Sequence, residues 1–252
     1  MSGHSKWATI KRKKASIDSK RGAAFTKIIK EIVVAARAGG GDLDGNARLR
    51  TVVDKAKAAN MPYDNIKKAI MRGTGELEGI TYEELMYEGY GPAGVALLIA
   101  VTTDNKNRSA ASVRAILSKA NGAMAALGAV AWQFEQKGYI TVPKEEIDED
   151  TLMSIALEAG ADDIQNEDAT YDISTKPADF ETVKKALDDK KVKYSSAEVT
   201  MVPKNYVKVE GKAAEQMLRL MDALDEDEDV QNVYANFDIS QEEMDRIGNL
   251  PE

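Results

Sequence analysis

The chain has 252 residues, 43% hydrophobic and 30% charged, with no cysteine, one histidine and a formal net charge of −8, which suits a soluble globular protein with one to three cored domains. The absence of cysteine excludes disulfides and thiolate metal sites and makes a reducing compartment the natural setting. No run approaches the roughly 18 apolar residues of a membrane span, and the Lys-rich start lacks the apolar region of a secretory signal, so the protein is read as cytoplasmic, with no membrane partner.

The first element is a basic stretch, residues 3–37, GHSKWATIKRKKASIDSKRGAAFTKIIKEIVVAAR. It carries Lys6, Lys11, Arg12, Lys13, Lys14, Lys20, Arg21, Lys27, Lys30 and Arg37 against only Asp18 and Glu31. Up to Arg72 the chain holds 17 basic and 6 acidic residues, net +11, whereas the remainder holds 17 basic and 36 acidic, net −19. Such a split points to a polyanionic partner met by the N-terminal part.

Within the stretch, Phe25, Ile28, Ile29, Ile32, Val33 and Ala36 recur at helical spacing, and Gly39, Gly40 and Gly41 end that helix. Asn46 is placed to cap a second helix with Leu49, Val52, Val53 and Ala56 inward. A third, with Ile66, Ala69 and Ile70 inward, is expected to stop at Gly73. Strands follow at residues 85–90 and 95–101 around the turn at 89–94, and the segment TTDNKNRS, 102–109, hands over to a helix bearing Val113, Ile116 and Leu117. Val130, Trp132 and Phe134 alternate as a further strand.

Residues 139–142, 151–159, 162–167, 171–175, 180–188 and 196–202 read as β-α-β-β-α-β, the ferredoxin-like order. A strand at 206–209, a helix at 213–224 and a strand at 230–239 close the chain and are expected to complete the sheet begun at Leu85. The fold class is therefore α+β with three domains: a basic helical domain at 1–75, a discontinuous α+β domain at 76–136 plus 203–252, and a ferredoxin-like domain at 137–202 inserted into it.

Several features could carry chemistry. Lys6, Lys11, Arg12, Lys13, Lys14, Lys20, Arg21, Lys27 and Lys30 are the expected nucleic-acid contacts, acting on phosphates through charge and counterion release; the plainer explanation is a solvated helix face. Trp7 could stack on a base or pack beside Ile10, whereas Phe25 lies on the apolar stripe. His4 stands alone, which argues against a metal site or a catalytic triad. Asp104 or Asn105 caps the following helix, or that helix start grips a phosphate. The glycines at 89–94 lack a phosphate-loop pattern. The acidic runs at 145–150 and 225–229 read as solvated loops, or as an internal shield for the basic arm. No catalytic residue, metal or cofactor is expected, and the protein is read as a non-enzymatic binder of DNA or ribosomal RNA, with a metal-dependent nuclease and a protein adaptor as the other classes.

The N-terminal motif, NMPYDNIKKAIMRGTG at 60–75 and YEGYGPAGVALLIAVTTDNKNRS at 87–109 together resemble the YebC family, which also includes the mitochondrial translational activator of cytochrome c oxidase I. The likeness runs over essentially the whole chain. It implies a helical domain followed by two α+β domains, one inserted into the other, and a role as a probable DNA-binding transcriptional regulator. The mitochondrial relatives imply instead translational activation, with the ribosome and its RNA as partners. The chain departs from the family pattern at Ala23 and Tyr63, where lysine is common, at Ala100, where glutamate is common, and around residues 120–122 and 129.

Overall fold

The computed structural model describes residues 19–167 and 169–248. Helix α1 (Ser19–Gly39), α2 (Ala47–Ala58) and α3 (Tyr63–Thr74) pack around Ile32, Leu49, Val53, Ile66 and Ala69, all essentially buried. Asn46 caps α2 as expected, its Oδ1 accepting the Leu49 amide at 3.0 Å, while its Nδ2 donates to Ala35 and Gly40 oxygens and ties the connection back onto α1.

Gly73 does not end α3. The helix runs on to Thr74, and Gly75 takes the left-handed cap at φ 85°. Gly73 instead marks the crossing with α1: a Cβ there would lie 2.6 Å from both the Ala36 Cβ and the Val33 oxygen. Gly73→Ala is expected to force the helices apart at a cost of about 1–3 kcal/mol; a thermal midpoint unchanged from wild type would refute the close crossing.

The first sheet is antiparallel in the order β3-β1-β2-β9, from β1 (Glu83–Tyr90), β2 (Ala96–Thr103), β3 (Ala123–Met124) and β9 (Val230–Ala235). Leu97, Ile99 and Val101 of β2 face α4 (Lys106–Lys119) and α7 (Gly211–Glu226), meeting Val113, Leu117, Met217 and Leu220 in one core. This helix-backed sheet, and the ferredoxin-like arrangement described next, give the α+β class expected of the sequence.

β4 (Phe134–Pro143), α5 (Glu149–Glu158), β5 (Asp163–Asn166), β6 (Thr170–Thr175), α6 (Phe180–Asp189) and β7 (Ser196–Pro203) form that second sheet, order β5-β6-β4-β7, all pairs antiparallel. Its core is Ile140, Val142, Leu152, Ile173, Val183 and Leu187. Residues 132–206 form one compact unit, and the described residues up to 131 with those from 207 onward form the other.

Three expected elements differ. The alternation at Val130, Trp132 and Phe134 is no strand: Val130 is buried in a loop, Ala131–Gln133 is a 3-10 turn, and pairing starts at Phe134. The strand at 206–209 reduces to β8 (Val207–Lys208), which pairs in parallel with β10 (Phe237–Asp238) rather than joining the first sheet. The strand at 230–239 breaks at Asn236, whose buried side chain accepts the Ala96 amide at 2.7 Å and so replaces a strand partner. Beyond it lies an unanticipated helix, α8 (Gln241–Gly248).

Candidate nucleic-acid interface

The apolar stripe of α1 points into the helical core, and this places Lys27 and Lys30 at its edge rather than on its outer face. Lys27 Nζ donates to the Asp225 backbone oxygen at 2.5 Å and lies 3.8 Å from that residue's carboxylate. Lys30 is 6% exposed; its Nζ donates to Asp229 Oδ1 at 2.6 Å and the Glu228 backbone oxygen at 2.8 Å, and sits 5.7 Å from the centre of the Tyr82 ring.

Asp229 gathers the other side of this joint. Its Oδ2 accepts from Ser109 Oγ at 2.6 Å, Thr103 Oγ1 at 3.0 Å and Arg108 Nη2 at 3.3 Å, and its backbone oxygen accepts the Thr102 amide at 2.8 Å. Burial alone would raise its carboxyl, but the hydrogen bonds from Lys30, Ser109 and Thr103 and the Lys30 charge outweigh burial and hold it at about 2.

The segment TTDNKNRS therefore has two jobs. Asn105 caps α4, accepting the Arg108 amide at 3.1 Å, while Thr103, Arg108 and Ser109 hold Asp229 at the joint. The acidic run at 225–229 is not simply a solvated loop: Asp229 is buried and binds the basic helix.

Of the expected phosphate contacts, Lys6, Lys11, Arg12, Lys13 and Lys14 lie outside the described residues, as do His4, Trp7 and the side chains of Lys20 and Arg21. Lys30 is turned inward, and its ammonium is occupied by protein oxygens. Phe25 packs against the helical core, as its place on the stripe required.

The outer surface of the helical region carries other cations. Arg48 pairs with Glu84 in a two-pronged bridge, Lys55 with Glu31 at 2.7 Å and Lys57 with Asp54 at 3.1 Å. Arg37, Arg50, Lys67, Lys68 and Arg72 are exposed and make no ion pair among the described residues. Arg37 lies on α1 beside the crossing at Gly73, where an added Cβ would lie 3.2 Å from its amide nitrogen, and Arg72 precedes Gly73 on α3. Charge density along the sequence favours the N-terminal arm over these residues, because they are spread singly across three helices.

Among the described residues no group of three or more His, Asp or Glu side chains could hold a metal ion, and no helix is long and apolar enough to cross a membrane.

Residues 5–76 match the TACO1/YebC protein N-terminal domain, and residues 82–237 match the TACO1/YebC second and third domain. A relative from Citrifermentans bemidjiense called a probable transcriptional regulatory protein is 58% identical over 247 residues, covering 98% of this chain and all of the relative. One from Geobacter sulfurreducens with the same description is 56% identical over the same span and coverage. The crystal structure of a conserved hypothetical protein from Aquifex aeolicus is similar at a TM-score of 0.80 and 44% identity, covering 90% of this chain and 94% of its own. Matched along nearly its full length by both domain descriptions and by these relatives, the chain belongs to the TACO1/YebC family.

Proposed function

We propose that this protein is a non-enzymatic regulator of gene expression that binds nucleic acid through its basic helical domain. The observation that carries the reading is the division of its cations. Lys27 and Lys30 are engaged inside the protein, while Arg37, Arg50, Lys67, Lys68 and Arg72 stand exposed without ion pairs among the described residues. In the sequence they follow Lys6, Lys11, Arg12, Lys13, Lys14, Lys20 and Arg21, the other cations of the basic N-terminal part. Exposed cations without carboxylate partners attract phosphate and release its counterions. The description carried by the relatives supports a transcriptional setting.

Replacing Lys11, Arg12, Lys13 and Lys14 together by alanine is expected to weaken binding alike on all sequences. The slope of log affinity against log salt should fall by roughly three to four units. Fluorescence anisotropy with duplex DNA and with ribosomal RNA fragments checks this; loss confined to one base sequence would contradict phosphate recognition. Crosslinking in cells then separates the settings: promoter DNA supports transcription, and ribosomal RNA supports translation.

A further inference from the structure

β7 forms one edge of the second sheet, pairing with β4 alone in an unbroken register from Phe134 opposite Pro203 to Thr141 opposite Ser196. The alternation of that ladder shows which backbone groups are used. Lys204 donates its amide to the Gln133 oxygen at 2.8 Å, and on the other side of β4 Lys144 donates to the Ala169 oxygen at 3.1 Å. Odd-numbered residues of β4 therefore bond towards β7 and even-numbered ones towards β6. It follows that Glu198, Thr200 and Val202 are tied to β4, whereas Ala197, Val199 and Met201 turn their amides and oxygens outward, where no partner meets them among the described residues. Pro203, with no amide to offer, closes the row.

A row of this kind is a template for another strand, and protein edges are ordinarily blunted by lysine, shortness or a bulge. The opposite edge is blunted in this way: β5 has four residues and begins on Asp163. β7 has eight residues, no lysine and no register shift. Val199, opposite Gly138, stands 39% exposed at the rim of the helix-covered face. Glu198 is exposed on the other face, without an ion pair among the described residues.

Charge says what such a strand must carry. Residues 132–206 hold 9 basic and 17 acidic side chains, net −8, so a second copy of this unit is repelled and a cationic segment is drawn in. Across the new pair, Glu198 favours lysine or arginine, and Val199 favours a β-branched residue on the alternate face. We propose that the β7 edge takes an extended peptide of a partner protein, in which cationic and apolar residues alternate, as an added strand of this sheet.

The test uses the full chain and a fluorescein-labelled peptide of alternating Lys and Val in anisotropy titrations. Wild type is expected to bind this peptide and to bind a copy N-methylated along its backbone roughly tenfold more weakly, because methylation removes the amide donors and leaves the charge. Val199→Pro should weaken binding by roughly tenfold with the thermal midpoint in place, since the lost amide is one that β4 does not use. Glu198→Lys should turn the preference to a peptide of alternating Glu and Val, and it decides the matter if the proline variant misfolds. Equal binding of the methylated and unmethylated peptides would show charge attraction without strand addition and overturns the proposal, as does binding of neither. A wild-type dimer in sedimentation that Val199→Pro dissolves would assign the edge to a second copy and overturn it too. None of these outcomes bears on the nucleic-acid reading, which stands on other residues.

Discussion

Lys30→Met is expected to destabilise the protein by about 3–5 kcal/mol, because it strands the buried Asp229 carboxylate without its cation. Asp229→Asn should cost a similar amount by leaving the Lys30 ammonium without its counter-charge. The double variant removes both charges and keeps the apolar stem and the amide oxygen that Ser109 and Thr103 can still bond, so it should recover much of the loss. Urea unfolding of the four proteins measures the coupling; additive losses in the double variant would show that the pair, 2.6 Å apart, is not the tie described. The same joint sets an acid limit. The Asp229 carboxyl is held at about 2, below its unfolded value, so its contribution is present above about pH 4 and is lost as pH falls towards 2. It amounts to about 2 kcal/mol after discounting for solvent at the rim.

Glu88→Ala should be the next most damaging change, by about 2–4 kcal/mol. Glu88 is 3% exposed on β1, and its carboxylate accepts three backbone amides: Gly128 at 2.6 Å, Val130 at 2.6 Å and Ala131 at 3.0 Å. Burial would raise its carboxyl, yet these amides bring it below the usual glutamate range. Its support is thus present above the ordinary glutamate value and weakens as pH falls through the lowered one. Hydrogen exchange at residues 128, 130 and 131 reads the change directly: the alanine variant should lose protection there before β1 or β2 loosens. Unaltered protection at those amides would show that the loop holds itself.

Local chemistry made much of this fold legible. The stripe in α1, the Asn46 and Asn105 caps and the ferredoxin-like order all depend on residues close in sequence, and each formed where its spacing required. The failures share a cause. Val130 and Trp132 alternate like strand residues, but the loop's amides go to Glu88, more than forty positions earlier. Asn236 breaks a convincing strand because its side chain finds Ala96. Gly73 looked like a helix stop, whereas its role depends on how near α1 passes.

The site was legible in the same uneven way. Charge density pointed to the N-terminal region, but Lys27 and Lys30 turn inward because they border the buried stripe. Their partners lie in the acidic run that spans the end of α7 and its link to β9, and only the fold brings the two together.

The inward turn of Lys30 gives the molecule two electrostatic compartments with different sensitivity to ionic strength. Exposed cations are screened over a Debye length of about 10 Å at 0.1 M salt, whereas a buried pair is screened far less. Raising salt should therefore strip a polyanion from the outer surface while the tie between α1 and Asp229 persists. On the proposed reading, salt would reverse adhesion in a range where architecture is not at risk, and a bound polyanion would leave without loosening the frame.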